Sequence, residues 1–388
     1  MPSGPTVPYD LPGKIPVLIV NSALWIGGAE QVAGCLAQSL DRRRFDVAAC
    51  YLKEAGTIAD QLIRSGTEVL QLPGFKPGVR DYLTSLKLRR LVRSRGIKVI
   101  HTHDIHGLID GSICRMLTPG VRFVHTFHFG NYPHRYRHYQ FIERSAWRVP
   151  DALVAVGHHQ AELINRCYGI PLERMRVIWN GVDDPARRVH PERLQDIAPP
   201  GVPVIGSIST LIPQKGLEFL LQAAALLRES GEKFVLLIAG GGVLNDSLRA
   251  KAHQLHLDEH VKFLGWVPQA SERVLPACDI FVQSSLWEAM SIVVLEAMAA
   301  SKPMVVTRVG ENSRVVIDGE TGLIVPPADP PSLATSLRRL LQDRELRQRL
   351  GAAARRRYET TFTTQRMIQA YESLYQDLAS ESAGNPCP

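Results

Sequence analysis

Two glutamates, Glu288 and Glu296, stand with seven residues between them in the otherwise uncharged run SSLWEAMSIVVLEAMA, Ser284 to Ala299. If a loop enters a helix here, the amides of Ser291, Ile292, Val293 and Val294 have no intrahelical acceptor and face an anion such as a diphosphate. Glu288, ahead of the helix, would reach a sugar hydroxyl. Glu296, inside it, would accept both hydrogen bonds of a ribose diol. Such spacing also arises by chance, so its weight depends on what accompanies it. Upstream, GSISTLIPQKG (Gly206 to Gly216) reads as strand, loop and helix start, and Lys215 beside Gly216 is placed to clamp a phosphate as a compact point charge. Alone, Lys215 reads equally well as a solvated surface lysine.

Glycine and histidine supply the other candidates. Gly27-Gly28-Ala29-Glu30 follows the first apolar run, where bare backbone would let a ligand approach a helix N-terminus or merely allow a tight turn. It is not a full G-x-G-x-x-G with its later acid, and no G-x-x-x-x-G-K-[ST] is present, which counts against a nicotinamide cofactor and a P-loop nucleotidase. Gly240-Gly241-Gly242 closes another strand and would let a nucleobase lie against backbone. His101, His103 and His106 cluster at one strand end, His125 and His128 at another. They are expected to point into a cleft as hydrogen bonders. Structural histidines are the plainer reading, and a metal site would need three or four converging ligands.

These positions require strands that end side by side. Short β-branched runs do alternate with helical patterns, as in a parallel sheet covered by helices. Strands are expected at Pro16–Val20, Val47–Leu52, Glu68–Leu72, Lys98–His101, Arg122–Thr126, Ala152–Val156 and Met175–Ile178. After the polar stretch Asp183–Pro200 the alternation restarts with Val202–Ser207, Phe234–Ala239, Val261–Phe263, Ile280–Gln283 and Met304–Thr307. From Pro331 to Leu378 the pattern is helical. The expected class is α/β, with two Rossmann-like doubly wound domains facing a cleft: 1–187, a linker at 188–200, 201–360, a return helix at 361–378 and a polar tail at 379–388. Ligands would bind beyond the carboxyl ends of the strands.

Composition narrows the class. A chain of 388 residues, 45% hydrophobic and 21% charged, is long enough for two cores and excludes disordered and disulfide-scaffold proteins. No apolar run approaches the roughly 20 residues that span a bilayer, and the N-terminus lacks a secretory pattern, so a cytoplasmic location is expected. The six cysteines show no CxxC or zinc spacing and read as free thiols. Arg80–Lys98 carries seven basic residues against one acid, close to the whole chain's +7. It reads as a solvated helix or as a contact to the inner face of an anionic membrane. No aromatic residues interleave its charges for nucleic-acid binding.

In their order, the segments resemble the retaining GT-B glycosyltransferases of family four. Gly27-Gly28-Ala29-Glu30 matches G-G-x-E, Thr126-Phe127-His128 matches T-x-H, Asn180-Gly181-Val182-Asp183 matches N-G-V-D, and Lys215-Gly216 matches K-G. Glu288 to Glu296 matches E-x7-E, and Asp318-Gly319-Glu320-Thr321-Gly322-Leu323-Ile324-Val325 matches a late D-G-x-T-G-x-L-V. The resemblance spans about Ile15 to Tyr375. It implies a nucleotide diphosphate-sugar in the second domain and a glycan or lipid-linked acceptor in the first. It implies catalytic roles for His128, Lys215 and Glu288, and donor contacts from Gly28, Thr210, Gly241, Val267, Ser291, Ile292, Val293, Val294 and Glu296. It implies neither a resident cofactor nor a metal, and the chain has no D-x-D. Transfer of a hexose-type unit in cell-surface polysaccharide or glycolipid synthesis follows, with stabilisation of the departing diphosphate as its main device.

Two positions depart from the pattern. Thr210 stands where the family usually has an arginine, removing one positive charge from the leaving group. Gly310-Glu311-Asn312-Ser313-Arg314 replaces a segment in which many relatives have a second glycine and a later glutamate. The first departure motivates the alternative expectation, a weak or inactive relative that binds sugar or acts as a scaffold.

Overall fold

The computed structural model describes residues 13–25, 27–72, 81, 83–184 and 197–383. The expected linker lies outside these residues except for 197–200, as do Arg80 and the tail beyond 383.

The first half contains β1 (Ile15–Ala23), α1 (Gly28–Ser39), β2 (Phe45–Glu54), α2 (Thr57–Arg64), β3 (Glu68–Gln71), α3 (Thr84–Ser94) and β4 (Val99–Thr102). It continues through α4 (Ile105–Met116), β5 (Arg122–Phe127), α5 (Arg137–Ala146), β6 (Ala152–Ala155), α6 (His158–Tyr168) and β7 (Met175–Val177). The second half runs β8 (Val204–Ile208), α7 (Leu217–Glu229), β9 (Val235–Ala239), α8 (Asn245–Gln254), β10 (Val261–Gly265), α9 (Ala270–Arg273) and β11 (Ile280–Gln283). Then follow α10 (Ile292–Ala299), β12 (Met304–Thr307), α11 (Asn312–Val315), β13 (Leu323–Val325), α12 (Pro330–Gln342), α13 (Arg344–Thr361) and α14 (Thr364–Ala383).

Both sheets are parallel, in the orders β3-β2-β1-β4-β5-β6-β7 and β10-β9-β8-β11-β12-β13. Each is doubly wound, and the strand order reverses beside β1 and β8 respectively. Val17, Leu18, Ile19 and Val20 are all buried, which requires helices on both faces. Strand β13 was not expected: its three residues lie in the motif Asp318 to Val325 and pair with β12 at the sheet edge. A strand this short has too little periodicity to be read in sequence.

The C-terminal helical stretch is three helices, and the last leaves the second domain. Met367, Ile368, Tyr371, Leu374 and Tyr375 of α14 are buried in one core with Val17, Ile19 and Leu36 of the first sheet and α1. The crossing needs close backbone contact: a Cβ on Gly181 would lie 2.4 Å from the Thr363 carbonyl oxygen.

Candidate active site

The ends of β1, β5, β8 and β11 open onto one cleft of about 760 Å³ between the two sheets. This follows from the topology, because β1 and β4, and β8 and β11, flank the switch points where adjacent loops diverge and leave a crevice.

The second-domain wall is built on the β11–α10 connection. Lys215 Nζ lies 2.5 Å from Glu288 Oε1, which also accepts from Ser285 Oγ at 2.7 Å. Ser284 Oγ donates to the Lys215 carbonyl oxygen at 2.9 Å, and Gln214 Nε2 to that of Trp287 at 3.0 Å. The lysine loop and the glutamate loop are thus one unit. Helix α10 begins at Ile292, and its N-cap Ser291 makes no side-chain cap because its hydroxyl accepts from Gln283 Nε2 at 2.6 Å. Asn312 holds Gln283 in turn at 2.7 Å. The first-turn amides are therefore left, among the described residues, without a side-chain cap at the positive end of the helix.

Glu296 lines the cleft one turn along α10 and accepts from Ser271 Oγ. Burial, with Glu272 adding to it, raises its carboxyl to about 7 against the opposing hydrogen bond from Ser271. Such a group is an acceptor poised near neutrality.

The histidines divide. His128 lines the cleft, whereas His101, His103 and His125 are buried, so the expectation that both clusters point into the cleft is corrected. The alternation of β4 sends His101 inward, toward Tyr371 and Tyr375 of α14, and His103, just past the strand end, packs between His101 and His128. His101 Nδ1 meets the Tyr375 hydroxyl at 2.6 Å and its Nε2 meets Thr126 Oγ1 at 2.7 Å. His103 Nδ1 and His128 Nε2 are 2.9 Å apart. Burial lowers His125 and His128 to about 3, and neighbouring imidazoles help hold His101 and His103 well down. All four are neutral near pH 7. His103 Nε2 is buried without a partner among the described residues. An unpaired acceptor there costs less than an unpaired N–H, so the His103 proton is assigned to Nδ1, which donates to His128. His128 then keeps its own proton on Nδ1.

Of the other expected residues, Gly28, Thr210, Val267, Ser291, Ile292 and Val293 line the cleft. A Cβ on Gly28 would meet nothing within 4 Å, so bare backbone is open there. Val294 faces away, buried in the core behind α10. Gly241 is not in the lining; its neighbour Gly240 is. The glycine run serves its own chain, because a Cβ on Gly240, at φ +142°, would fall on the Ser209 carbonyl oxygen, and Leu211 donates to the Gly241 carbonyl oxygen at 2.8 Å. The β8–α7 loop thus packs on Gly240 and Gly242, while a Cβ on Gly241 would meet nothing within 4 Å. Exposed Trp266, beside Val267, also lines the cleft.

Lys215 is the one lysine or arginine among the described lining residues, so none of these substitutes for the arginine missing at Thr210. The roles of Ser271, Gln283, Asn312 and Tyr375 were not read in sequence. Ser271, Asn312 and Tyr375 are polar partners brought from distant segments, and Gln283 closes β11 just ahead of Ser291; no local pattern announces these pairings.

Comparison with known proteins places this geometry. Residues 26–185 match the family model "Glycosyltransferase Family 4", and residues 192–357 match "Glycosyl transferases group 1". An alpha-D-kanosaminyltransferase of Streptomyces kanamyceticus is 27% identical over 55% of this chain, and the match spans 57% of that relative's length. A UDP-Gal:alpha-D-GlcNAc-diphosphoundecaprenol alpha-1,3-galactosyltransferase of Escherichia coli is 24% identical over 94% of this chain and 97% of its own. Among solved structures, Anabaena Alr3699/HepE in complex with UDP superposes with a TM-score of 0.81 at 19% identity, covering 94% of this chain and all of that one. This last likeness shows a shared GT-B fold.

Proposed function

Because the chain belongs to the group 1 glycosyltransferases of the family-four type, we propose that it moves a hexose-type sugar from a nucleotide diphosphate-sugar to a glycan or lipid-linked acceptor, with retention at the anomeric carbon. The observation that carries this reading is the convergence of Lys215, Glu288, the α10 amides and Glu296 on one cleft wall, opposite His128. On it, the diphosphate lies against Lys215 and the α10 N-terminus, which neutralise the charge that grows as the sugar–phosphate bond breaks. Glu296 accepts from the ribose. Glu288, released in part from Lys215 by the diphosphate, accepts from a sugar hydroxyl, and neutral His128 donates from Nδ1. The acceptor approaches from the first domain, in cell-surface polysaccharide or glycolipid assembly. Catalysis on this reading needs neither a metal nor a resident cofactor.

A peripheral place at the inner membrane face belongs to the same proposal. No described helix is long and apolar enough to cross a membrane. Helices α3 and α5 both pack on α4; α3 exposes Leu86 on the helix face that carries Arg90 and Arg93, and α5 exposes Phe141.

The test is a panel of UDP-, GDP- and ADP-sugars scored for nucleotide release and thermal stabilisation, with Glu296→Ala in parallel. One donor should be hydrolysed or transferred by the wild type and its KM raised about tenfold or more in the variant, as expected for a lost hydrogen-bonding carboxylate. Saturable binding without turnover of any donor would favour the second reading, a sugar-binding relative, for which Thr210 is the specific motive. Equal activity in Glu296→Ala would remove Glu296 from the donor site.

A further inference from the structure

Glu311 has no exposed surface, and no cation among the described residues is a partner of its carboxylate. It sits between β12 and α11 of the second domain, yet the contacts of its carboxylate lie in the first. The Oε1 atom accepts from the His158 amide at 2.9 Å and from the Trp179 indole at 3.1 Å, while Oε2 accepts from the His159 amide at 2.8 Å. His158 and His159 open helix α6 of the first domain, whose N-cap, Gly157, has no side chain to cap it. The carboxylate therefore supplies in trans the cap and counter-charge that the helix N-terminus lacks. Gly157 makes room for it: a Cβ there would stand 2.5 Å from Oε2.

The same residue anchors the Glu288 loop. The Glu311 amide donates to the Ala289 carbonyl oxygen at 2.9 Å. The Glu288–Ala289 backbone is gripped from both domains by glycines. A Cβ on Gly310, which has φ +51°, would come 2.2 Å from the Glu288 carbonyl oxygen, and one on Gly130 would come 2.3 Å from the Ala289 nitrogen. Gly130 is two residues beyond His128. An exposed ion pair between Arg314 and Glu162, at 2.9 Å, adds a weaker tie along α6.

We propose that Glu311 is a positioning residue, an interdomain latch that docks the N-terminus of α6 on the β12–α11 loop and through that loop sets Glu288 opposite His128. The part concerning Glu288 rests on the function proposed above; the latch does not. Removing the charge removes the reason for the carboxylate to prefer the docked helix over water, since desolvation is offset only by the three donors.

Glu311→Gln keeps the shape and turns an amide N–H against the backbone donors. Hydrogen exchange at the first turn of α6 should accelerate about tenfold or more, the value for loss of one charge-assisted hydrogen bond, and the radius of gyration from small-angle scattering should rise. Transfer should lose kcat by a similar factor, while donor KM stays within about twofold, because the donor wall is built inside the second domain. Gly157→Ala leaves Glu311 intact and should shift exchange and scattering the same way. A folded variant of either kind with wild-type exchange and scattering overturns the latch. Opening without loss of kcat overturns the positioning of Glu288. If the wild type transfers no sugar while both variants open, the latch stands and the proposed activity fails.

Discussion

Lys215 and Glu288 already neutralise each other at 2.5 Å, so a bound diphosphate competes with a carboxylate for the lysine. This makes the pair more than a clamp: before binding it keeps a charge from being left unpaired in a partly buried wall, and on binding it frees an acceptor for the sugar. In Lys215→Met, kcat should fall by about 10²–10³, the usual cost of one preorganised group at a developing anion. Single-turnover kinetics would check it, and an unchanged rate would assign leaving-group stabilisation to the α10 amides alone. Glu296, raised to about 7, adds a pH dependence. Its folded pKa lies above the unfolded 4.5, so the native state holds the proton through that window and stability declines as pH climbs from about 4.5 to 7. Donor binding should run the other way, with KM falling severalfold between about pH 6 and pH 8 as the carboxylate ionises and can accept two hydrogen bonds. The Glu296→Gln variant should flatten both profiles, measured by chemical denaturation and by initial rates.

Helix α14 is the element that most changes the picture drawn from local pattern. Its apolar stripe is legible in sequence, but a stripe says only that something covers it. In the structure it seals the first sheet, and Tyr375 reaches through that core to His101, with its ring 6.0 Å from Phe45 in an edge arrangement. From His101, ring contact at 4.1 Å leads to His103 and then to His128 at the cleft. Tyr375→Ala should lower stability by about 3–5 kcal/mol through cavity and lost burial. Tyr375→Phe should cost about 1–3 kcal/mol, because it leaves a buried imidazole nitrogen unpaired. Urea unfolding would separate the two, and wild-type stability in Tyr375→Phe would show that the hydroxyl contributes nothing.

For the molecule as a whole, charge and site lie apart. The cleft lining has a single described lysine, whereas the basic residues of α3 line an outer face with exposed Leu86. Not all of that charge is available: Lys87 pairs with Asp81, Arg95 with Glu68, and Arg89 donates to the Leu117 carbonyl oxygen. Reversing Arg90 and Arg93 to Glu should weaken sedimentation with phosphatidylglycerol vesicles at least tenfold, given about 1 kcal/mol per basic residue at an anionic surface. Unchanged binding would leave the segment as a solvated helix. Alternating β-branched runs and ordered motifs were enough for the α/β class, two parallel sheets and the family, because strand periodicity and turn glycines are local properties written residue by residue. They also singled out Lys215 beside its glycine, and Glu288 and Glu296, whose mutual spacing is set by a single loop and helix. Which histidine faces the cleft, why Gly240 is a glycine, what covers Tyr375 and where the Glu311 carboxylate goes were decided by tertiary structure alone. Each depends on an atom supplied by a segment far away in the chain, and a sequence carries no distance between such segments until the fold closes them together.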